Sequence, residues 1–316
     1  MRILYVFLDG VGLGADDPSS NPFAVAHLPT LTQFTRGQRW VNTLGRVETD
    51  ISVFIPTDAM LGVLETPQSA TGQAAIMTGS NVPARLGYHY GPKPNEPIRS
   101  ILEQESVIAR LTARGVRVSL ANVYPSGYID AIQRGMRLPS ANQLALMAGG
   151  VRLRDGADYL TGQGLAADLT GEMWLERAAT HDAAMIAYRS RLNGALPAPI
   201  TAFEAGSRLA RLAQQADFTM FDQWLTDYVG HRGSMQQAVT ILEDLDAALA
   251  GVLSQWDTES GLVVITSDHG NLENLDVRGH THNLVPTLVI GSAWRVFAEG
   301  LVDLTGFASA FERVLL

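Results

Sequence analysis

Val263-Val264-Ile265-Thr266-Ser267-Asp268-His269-Gly270-Asn271, with Gly279-His280-Thr281-His282-Asn283 behind it, decides how the rest of the chain is read. The β-branched apolar run predicts a buried strand. It stops at an Asp-His pair followed by Gly and Asn, both turn formers. A carboxylate and an imidazole are poorly placed inside a strand, but strand ends in α/β sheets are where ligands are held. Carboxylate oxygen and neutral imidazole nitrogen are also a donor set for zinc, manganese and related divalent metals. An isolated Asp-His pair would be a solvated turn. Here acid and histidine clusters recur after other apolar runs.

The bulk properties narrow the function classes. With 316 residues, 46% of them hydrophobic and 17% charged, the chain can bury a sizeable core. A formal net charge of −9 makes nucleic acid and anionic membrane surfaces poor partners. The absence of cysteine excludes disulfides, thiolate metal sites and thiol catalysis. Met1-Arg2 leads straight into Ile3–Leu8, too short a run for a signal peptide and closed by Asp9, so the expected location is the cytoplasm. No apolar stretch approaches the ~20 residues that span a bilayer.

Outward from the opening stretch, the same pattern repeats. Ile3–Leu8 reads as a strand ending in Asp9-Gly10-Val11-Gly12-Leu13-Gly14, whose spacing is not that of a dinucleotide loop. Residues 15–60 are mixed, with Pro22, Pro29 and Pro56 breaking any long helix. In Thr66-Pro67-Gln68-Ser69-Ala70-Thr71-Gly72, small residues lead into a helix-forming run ending at Gly79. The hydroxyls of Ser69 and Thr71 therefore lie near a helix N-terminus, which favours an anion. A Pro- and cation-rich loop follows through 84–97, then a helix over 101–113 and a strand over 116–123. Residues 124–200 lose periodicity, carry many glycines and are expected to be a cap or insertion, partly helical near 173–192. Alternation resumes with a helix over 203–215 and a strand over 217–225. Asp227 and His231 follow four residues apart, on one face if the chain turns helical there. A long helix after Ser234, a strand over 285–291 and a closing helix over 307–315 complete the chain.

The residue chemistry is convergent. Asp9, Asp227, His231, Asp268, His269 and His280, with the hydroxyl of Ser69 or Thr71, follow strands that a parallel sheet would bring to one carboxyl edge. Asp222 and His282 are nearby candidates for a supporting role. Bare carboxylates gathered there would repel, and cations resolve that repulsion. Seven donors are too many for one tetrahedral ion and suit two, the arrangement used for phosphoryl transfer.

Leu8-Asp9-Gly10-Val11-Gly12, Asp227-Tyr228-Val229-Gly230-His231, Ser267-Asp268-His269-Gly270-Asn271 and His280-Thr281-His282-Asn283-Leu284-Val285-Pro286 resemble, in order, the signature segments of the alkaline phosphatase superfamily. They are most similar to its metalloenzyme branch, which holds cofactor-independent phosphoglycerate mutase and phosphopentomutase. The resemblance implies an α/β fold with a doubly wound, mostly parallel sheet. Residues 1–123 and 201–316 would form the metal-binding core and residues 124–200 a small inserted cap. It also implies one divalent ion held by Asp9, Ser69, Asp268 and His269, and a second by Asp227, His231 and His280. The family nucleophile is followed by glycines three and ten residues later; Ser69 satisfies this through Gly72 and Gly79, and Thr71 does not. Two departures stand out: Gln73 replaces a histidine of the mutases, and the chain has no room for the large insertion of the phosphoglycerate mutases.

The implied activity is attack by Ser69 on a small phosphate monoester, giving a phosphoserine that a phosphatase passes to water and a mutase returns to substrate. Two divalent ions, manganese or zinc first and magnesium also fitting, are the expected cofactors. Arg85, His89, Lys93 and Arg99 are candidate substrate-binding residues, with Arg134 and Arg137 from the cap as further cations. The rival readings are a phosphodiesterase or other hydrolase of the superfamily, and a non-catalytic metal-binding scaffold.

Overall fold

A computed structural model describes residues 1–316. Seven strands form one sheet: β1 (Arg2–Leu8), β2 (Val47–Glu48), β3 (Ser52–Thr57), β4 (Val118–Leu120), β5 (Phe218–Gln223), β6 (Gly261–Ser267) and β7 (Val285–Ile290). Their order across the sheet is β2-β3-β7-β6-β1-β5-β4. The strands β4, β5, β1 and β6 run parallel, whereas β7, β3 and β2 are joined through antiparallel pairings. The α/β, doubly wound architecture is the expected one, and the parallel half carries the acid-tipped strands.

Both faces of the sheet are covered. Along β1, Ile3, Tyr5 and Phe7 enter one apolar core while Leu4, Val6 and Leu8 enter the other. This is the period-2 alternation of a strand buried on both sides, which is why β1 and β6 read as continuous apolar runs. On one face the helices Ala202–Ala213 and Met235–Leu253 pack at backbone distance. A Cβ added at Gly206 would lie 1.8 Å from the Ala248 carbonyl oxygen, and one at Gly251 would lie 2.0 Å from that of Phe203. Only hydrogen fits at these crossings.

Several elements differ from the sequence expectation. The helix expected over 101–113 is two, Glu96–Glu105 and Val107–Ala113. Ser106 interrupts it with a non-helical backbone, and its side chain accepts the Ala109 N–H to cap the second piece. Strand β3 lies in the stretch that read as mixed, where Pro56 counted only as a breaker of helices. The short β2 pairs only with Val53 and Phe54, so the missing N–H of Pro56 costs no bond on that side. Within 124–200, helix Ala141–Ala148 sends Ala141, Ala145 and Leu146 into a main core. Tyr159, Trp174, Leu175, Ala178 and Met185 instead make a small apolar cluster of their own. No helix is long and apolar enough to cross a membrane.

Candidate functional site

Parallel register assembles the site. Leu8 at the end of β1 pairs with Ser267 of β6 on one side and Gln223 of β5 on the other. Asp9 and Asp268, each one residue further on, are therefore forced side by side. On the β5 side the chain turns at Trp224 into helix Leu225–Arg232, which carries Asp227 and His231. His231 Nε2 stands 3.5 Å from Asp227 Oδ1, the i,i+4 contact expected of one helix face.

Two donor sets result, Asp9–Asp268–His269 and Asp227–His269–His280, each with its ligand atoms within 4.8 Å of one another. His269 is common to both. Its Nε2 lies 3.3 Å from Asp9 Oδ1, 3.7 Å from Asp268 Oδ2 and 3.0 Å from Ser69 Oγ. His280 Nε2 lies 3.6 Å from Asp227 Oδ1, and its ring stacks on that of His269 with centroids 3.8 Å apart. His231 flanks this second set through Asp227. All six expected carboxylate and imidazole donors are thus brought together.

The donor chemistry fits divalent cations. Each imidazole places Nδ1 against a backbone carbonyl: His231 at Arg278 (3.1 Å), His269 at Gly270 (3.3 Å) and His280 at Pro67 (2.8 Å). In a neutral imidazole, an Nδ1–H donated there turns the Nε2 lone pair toward the carboxylates, the orientation that metal-binding histidines adopt. Asp9 Oδ1 is buried and makes no well-formed hydrogen bond. Burial pushes the Asp9 carboxyl up to about 7, with the Asp268 charge adding to the rise. Asp268 is pushed up to about 6, again chiefly by burial, with His269 opposing. Burial disfavours the His269 imidazolium, but the Asp268 and Asp9 carboxylates outweigh it and lift that group to about 10. Asp227 is also pushed up by burial. The His280 contact, the His269 charge and the Asn271 hydrogen bond overcome this and hold it below the usual carboxylate range. Two crowded carboxyl groups that retain protons, beside a third that stays ionised, are a site short of positive charge.

Ser69 opens helix Ser69–Thr78, which has no side-chain cap at Gln68. This helix approaches the end of β6 closely: a Cβ on Gly72 would lie 2.8 Å from the Asp268 carbonyl oxygen. Thr71 is turned elsewhere, its hydroxyl on Gln68 O (3.0 Å) and near His89 Nδ1 (3.3 Å). Ser69 therefore faces the donor sets and Thr71 does not.

The four candidate substrate-binding residues separate. Arg85 pairs with Glu105 at 2.7 Å and Arg99 with Glu96, both at the surface, so neither cation is drawn to the site. His89 is buried between Thr71 and the Met60 carbonyl. Lys93 is half-buried; burial lowers its pKa, with the charges of Asp222 and Asp9 opposing. Asp222 itself is buried, and burial followed by the Asp9 charge pushes its carboxyl up to about 7. His282 sits further out, its Nε2 3.4 Å from Thr66 Oγ1.

Two supporting residues were not legible as such. Gln73 donates to Asp268 Oδ2 at 3.1 Å and reaches Asp9 Oδ2 at 3.4 Å. Glu273 is buried and accepts the N–H groups of Gly12 (2.9 Å) and Asn271 (2.7 Å), the Asn283 carboxamide (2.9 Å) and the Thr281 hydroxyl. One carboxylate therefore ties together the loops after β1 and β6 and the loop carrying His280. Its only trace in the sequence is an acid two residues after Asn271.

Comparison with known proteins gives the class. Residues 201–310 match the family model described as the Metalloenzyme superfamily. The chain is similar to the 2,3-bisphosphoglycerate-independent phosphoglycerate mutase of Thiobacillus denitrificans, 33% identical over 109 residues, covering 32% of this chain and 21% of that protein. The namesake enzyme of Methylobacillus flagellatus is 30% identical over 118 residues, covering 34% of this chain and 23% of that protein. The matched stretch thus spans only about a fifth of these relatives. Among solved structures, alkaline phosphatase from the Antarctic bacterium TAB5 superposes with a TM-score of 0.52 at 14% identity, over 99% of this chain and 98% of that one. The resemblance carried by the motifs is borne out. The C-terminal third matches the metalloenzyme-superfamily model, and the whole chain superposes on the alkaline phosphatase fold.

Proposed function

We propose that this protein is a metal-dependent phosphoryl-transfer enzyme acting on a small phosphate monoester through a phosphoserine at Ser69. The observation that supports it most is the position of Ser69 Oγ, 3.0 Å from the Nε2 of the imidazole shared by both donor sets. Asp9, Ser69, Asp268 and His269 would hold one divalent ion, and Asp227, His231 and His280 the other, manganese or zinc first and magnesium as a further fit. When bound, such ions supply Lewis-acid charge that favours the serine alkoxide and neutralises phosphate oxygens.

The chain's own groups do the rest. The Ser69 hydroxyl lies at the start of a ten-residue helix whose dipole favours an anion there. Lys93 is the cation of the candidate four that senses the buried acids, and it is assigned to a phosphate oxygen. Asn271 donates to Asp227 Oδ1 at 2.7 Å and Gln73 to Asp268, so the carboxylates are oriented before substrate arrives. Residues 124–200 are assigned as the cap that keeps water from the phosphoserine.

The test is phosphorus NMR of quenched mixtures of metal-loaded protein with sugar phosphates and phosphoglycerates. Phosphate migrating within one substrate identifies a mutase, and growth of inorganic phosphate identifies a phosphatase. The Ser69→Ala protein is expected to keep its metal and lose transfer; full activity in that variant would sink the reading. Turnover of diesters alone would favour a phosphodiesterase, and bound metal without any turnover a scaffold.

A further inference from the structure

Beside Ser69 lies a wide, solvent-open cavity of about 700 Å³. It is lined by Thr66 and Gln68, which precede Ser69 in the chain, and by His282, two residues beyond His280. Between Thr66 and Gln68 the Pro67 carbonyl meets His280 Nδ1 at 2.8 Å, so the cavity lies next to the second donor set. Tyr88 and Tyr90, on one loop, also line it. That loop is fixed to the Ser69 helix: the Thr71 N–H donates to the Tyr90 carbonyl at 3.1 Å, and the Tyr90 N–H donates to Thr71 Oγ1 at 3.2 Å.

The lining chemistry is selective. Tyr88 and Tyr90 stand edge to face with centroids 6.2 Å apart, each more than a third exposed. Leu64 is 92% exposed at the rim, an unusual position for a leucine. Aromatic faces and a leucine side chain favour a flat, weakly polar group. No lysine or arginine lines the cavity, and its one carboxylate is Glu65, which accepts the His89 N–H at 3.2 Å. A carboxylate on the substrate would find no lysine or arginine here and one like charge, whereas sugar hydroxyls could donate to Glu65.

We infer that this cavity receives the organic group of the phosphate ester, and that this group is uncharged and presents a flat ring face, as a nucleoside does. The inference rests on the phosphoryl-transfer reading of Ser69 and narrows its substrate class. It sets this chain apart from the mutases it matches over a fifth of their length, whose name specifies a carboxylate-bearing substrate.

The experiment compares kcat/KM for adenosine 5′-monophosphate, 3-phosphoglycerate and methyl phosphate in the metal-loaded protein and in its Tyr88→Ala, Glu65→Lys and Arg137→Ala forms. The nucleotide is expected to be preferred over both other esters by about tenfold or more. Tyr88→Ala should raise its KM and shrink that preference, and Glu65→Lys should narrow the gap to 3-phosphoglycerate. Preference for 3-phosphoglycerate, with its KM raised by Arg137→Ala and not by Tyr88→Ala, would overturn the inference and put the organic group on the cap side. A second measurement separates this from failure of the chemistry itself. If no ester turns over, the phosphoryl-transfer reading falls. Saturation-transfer NMR of adenosine 5′-monophosphate on magnesium-loaded Ser69→Ala protein then decides the cavity. Saturation of the base protons that is lost on adding Tyr88→Ala supports it, and no saturation rejects it.

Discussion

The Gln73 carboxamide spans the two carboxylates of one donor set, 3.1 Å from Asp268 Oδ2 and 3.4 Å from Asp9 Oδ2, while its oxygen lies 3.4 Å from the backbone nitrogen of Asn142. A neutral donor thus orients two anions without competing as a ligand. Gln73→Leu removes both contacts at nearly constant volume. We expect divalent-metal affinity to fall by about 10–100-fold, the usual cost of losing an outer-shell partner. Titration calorimetry with manganese measures this directly, and unchanged affinity would reject the assignment.

Glu273 governs the loops more than the chemistry. Glu273→Ala would strand the buried N–H groups of Gly12 and Asn271 and release the half-buried Asn283 carboxamide. At about 1–3 kcal/mol for each of the two unsatisfied buried groups, a loss of at least ~2 kcal/mol is expected in urea unfolding of the metal-free protein. A loss below about 1 kcal/mol would mean that water enters and replaces the carboxylate.

The metal-free protein should lose stability as pH rises. Asp222 and Asp9 have folded-state pKa values near 7 and Asp268 near 6, all raised from 3.8. A raised carboxyl contributes stability that is complete below its unfolded pKa and disappears as pH climbs through the folded value. Between pH 4 and pH 7 the folded state holds more protons than the unfolded one, so Tm should fall across this window. Asp222→Asn should flatten the slope, because its part no longer titrates. Saturating metal should reduce the slope further. A Tm that rises from pH 5 to pH 8 without metal would contradict the assignment.

Gly206 provides a test of the fold away from the site. Gly206→Ala places a methyl 1.8 Å from the Ala248 carbonyl oxygen, so the two helices must separate. A loss of about 3 kcal/mol is expected, at the upper end for overpacking. Metal affinity per folded molecule should be retained, because the crossing lies away from the donor sets. Equilibrium unfolding and calorimetry report the two quantities separately.

Much of the architecture was legible because it depends on local pattern. The apolar run of β6 and the Asp268-His269 pair that ends it are adjacent in sequence, and so are β1 and Asp9. Asp227 and His231 needed only one turn of helix. Strand β3 was not legible, since Pro56 counts against a strand until its neighbour is known to stop short of it. The break at Ser106 was hidden because the apolar periodicity continues through the cap.

The sequence by itself determined the α/β class and the set of donors, because strand-forming runs and the acids that end them are covalent neighbours. Only the tertiary structure decided how those donors are shared. Register across β5, β1 and β6 puts His269 in both sets, and the close packing of helix Ser69–Thr78 on the end of β6 aims Ser69, rather than Thr71, at them. It also showed that Arg85 and Arg99 are neutralised by Glu105 and Glu96, while half-buried Lys93 feels the charges of Asp222 and Asp9. Gln73 and Glu273 gained their roles in the same way, from partners as many as 261 residues away. Such roles arise from distances between side chains, which chain order does not encode.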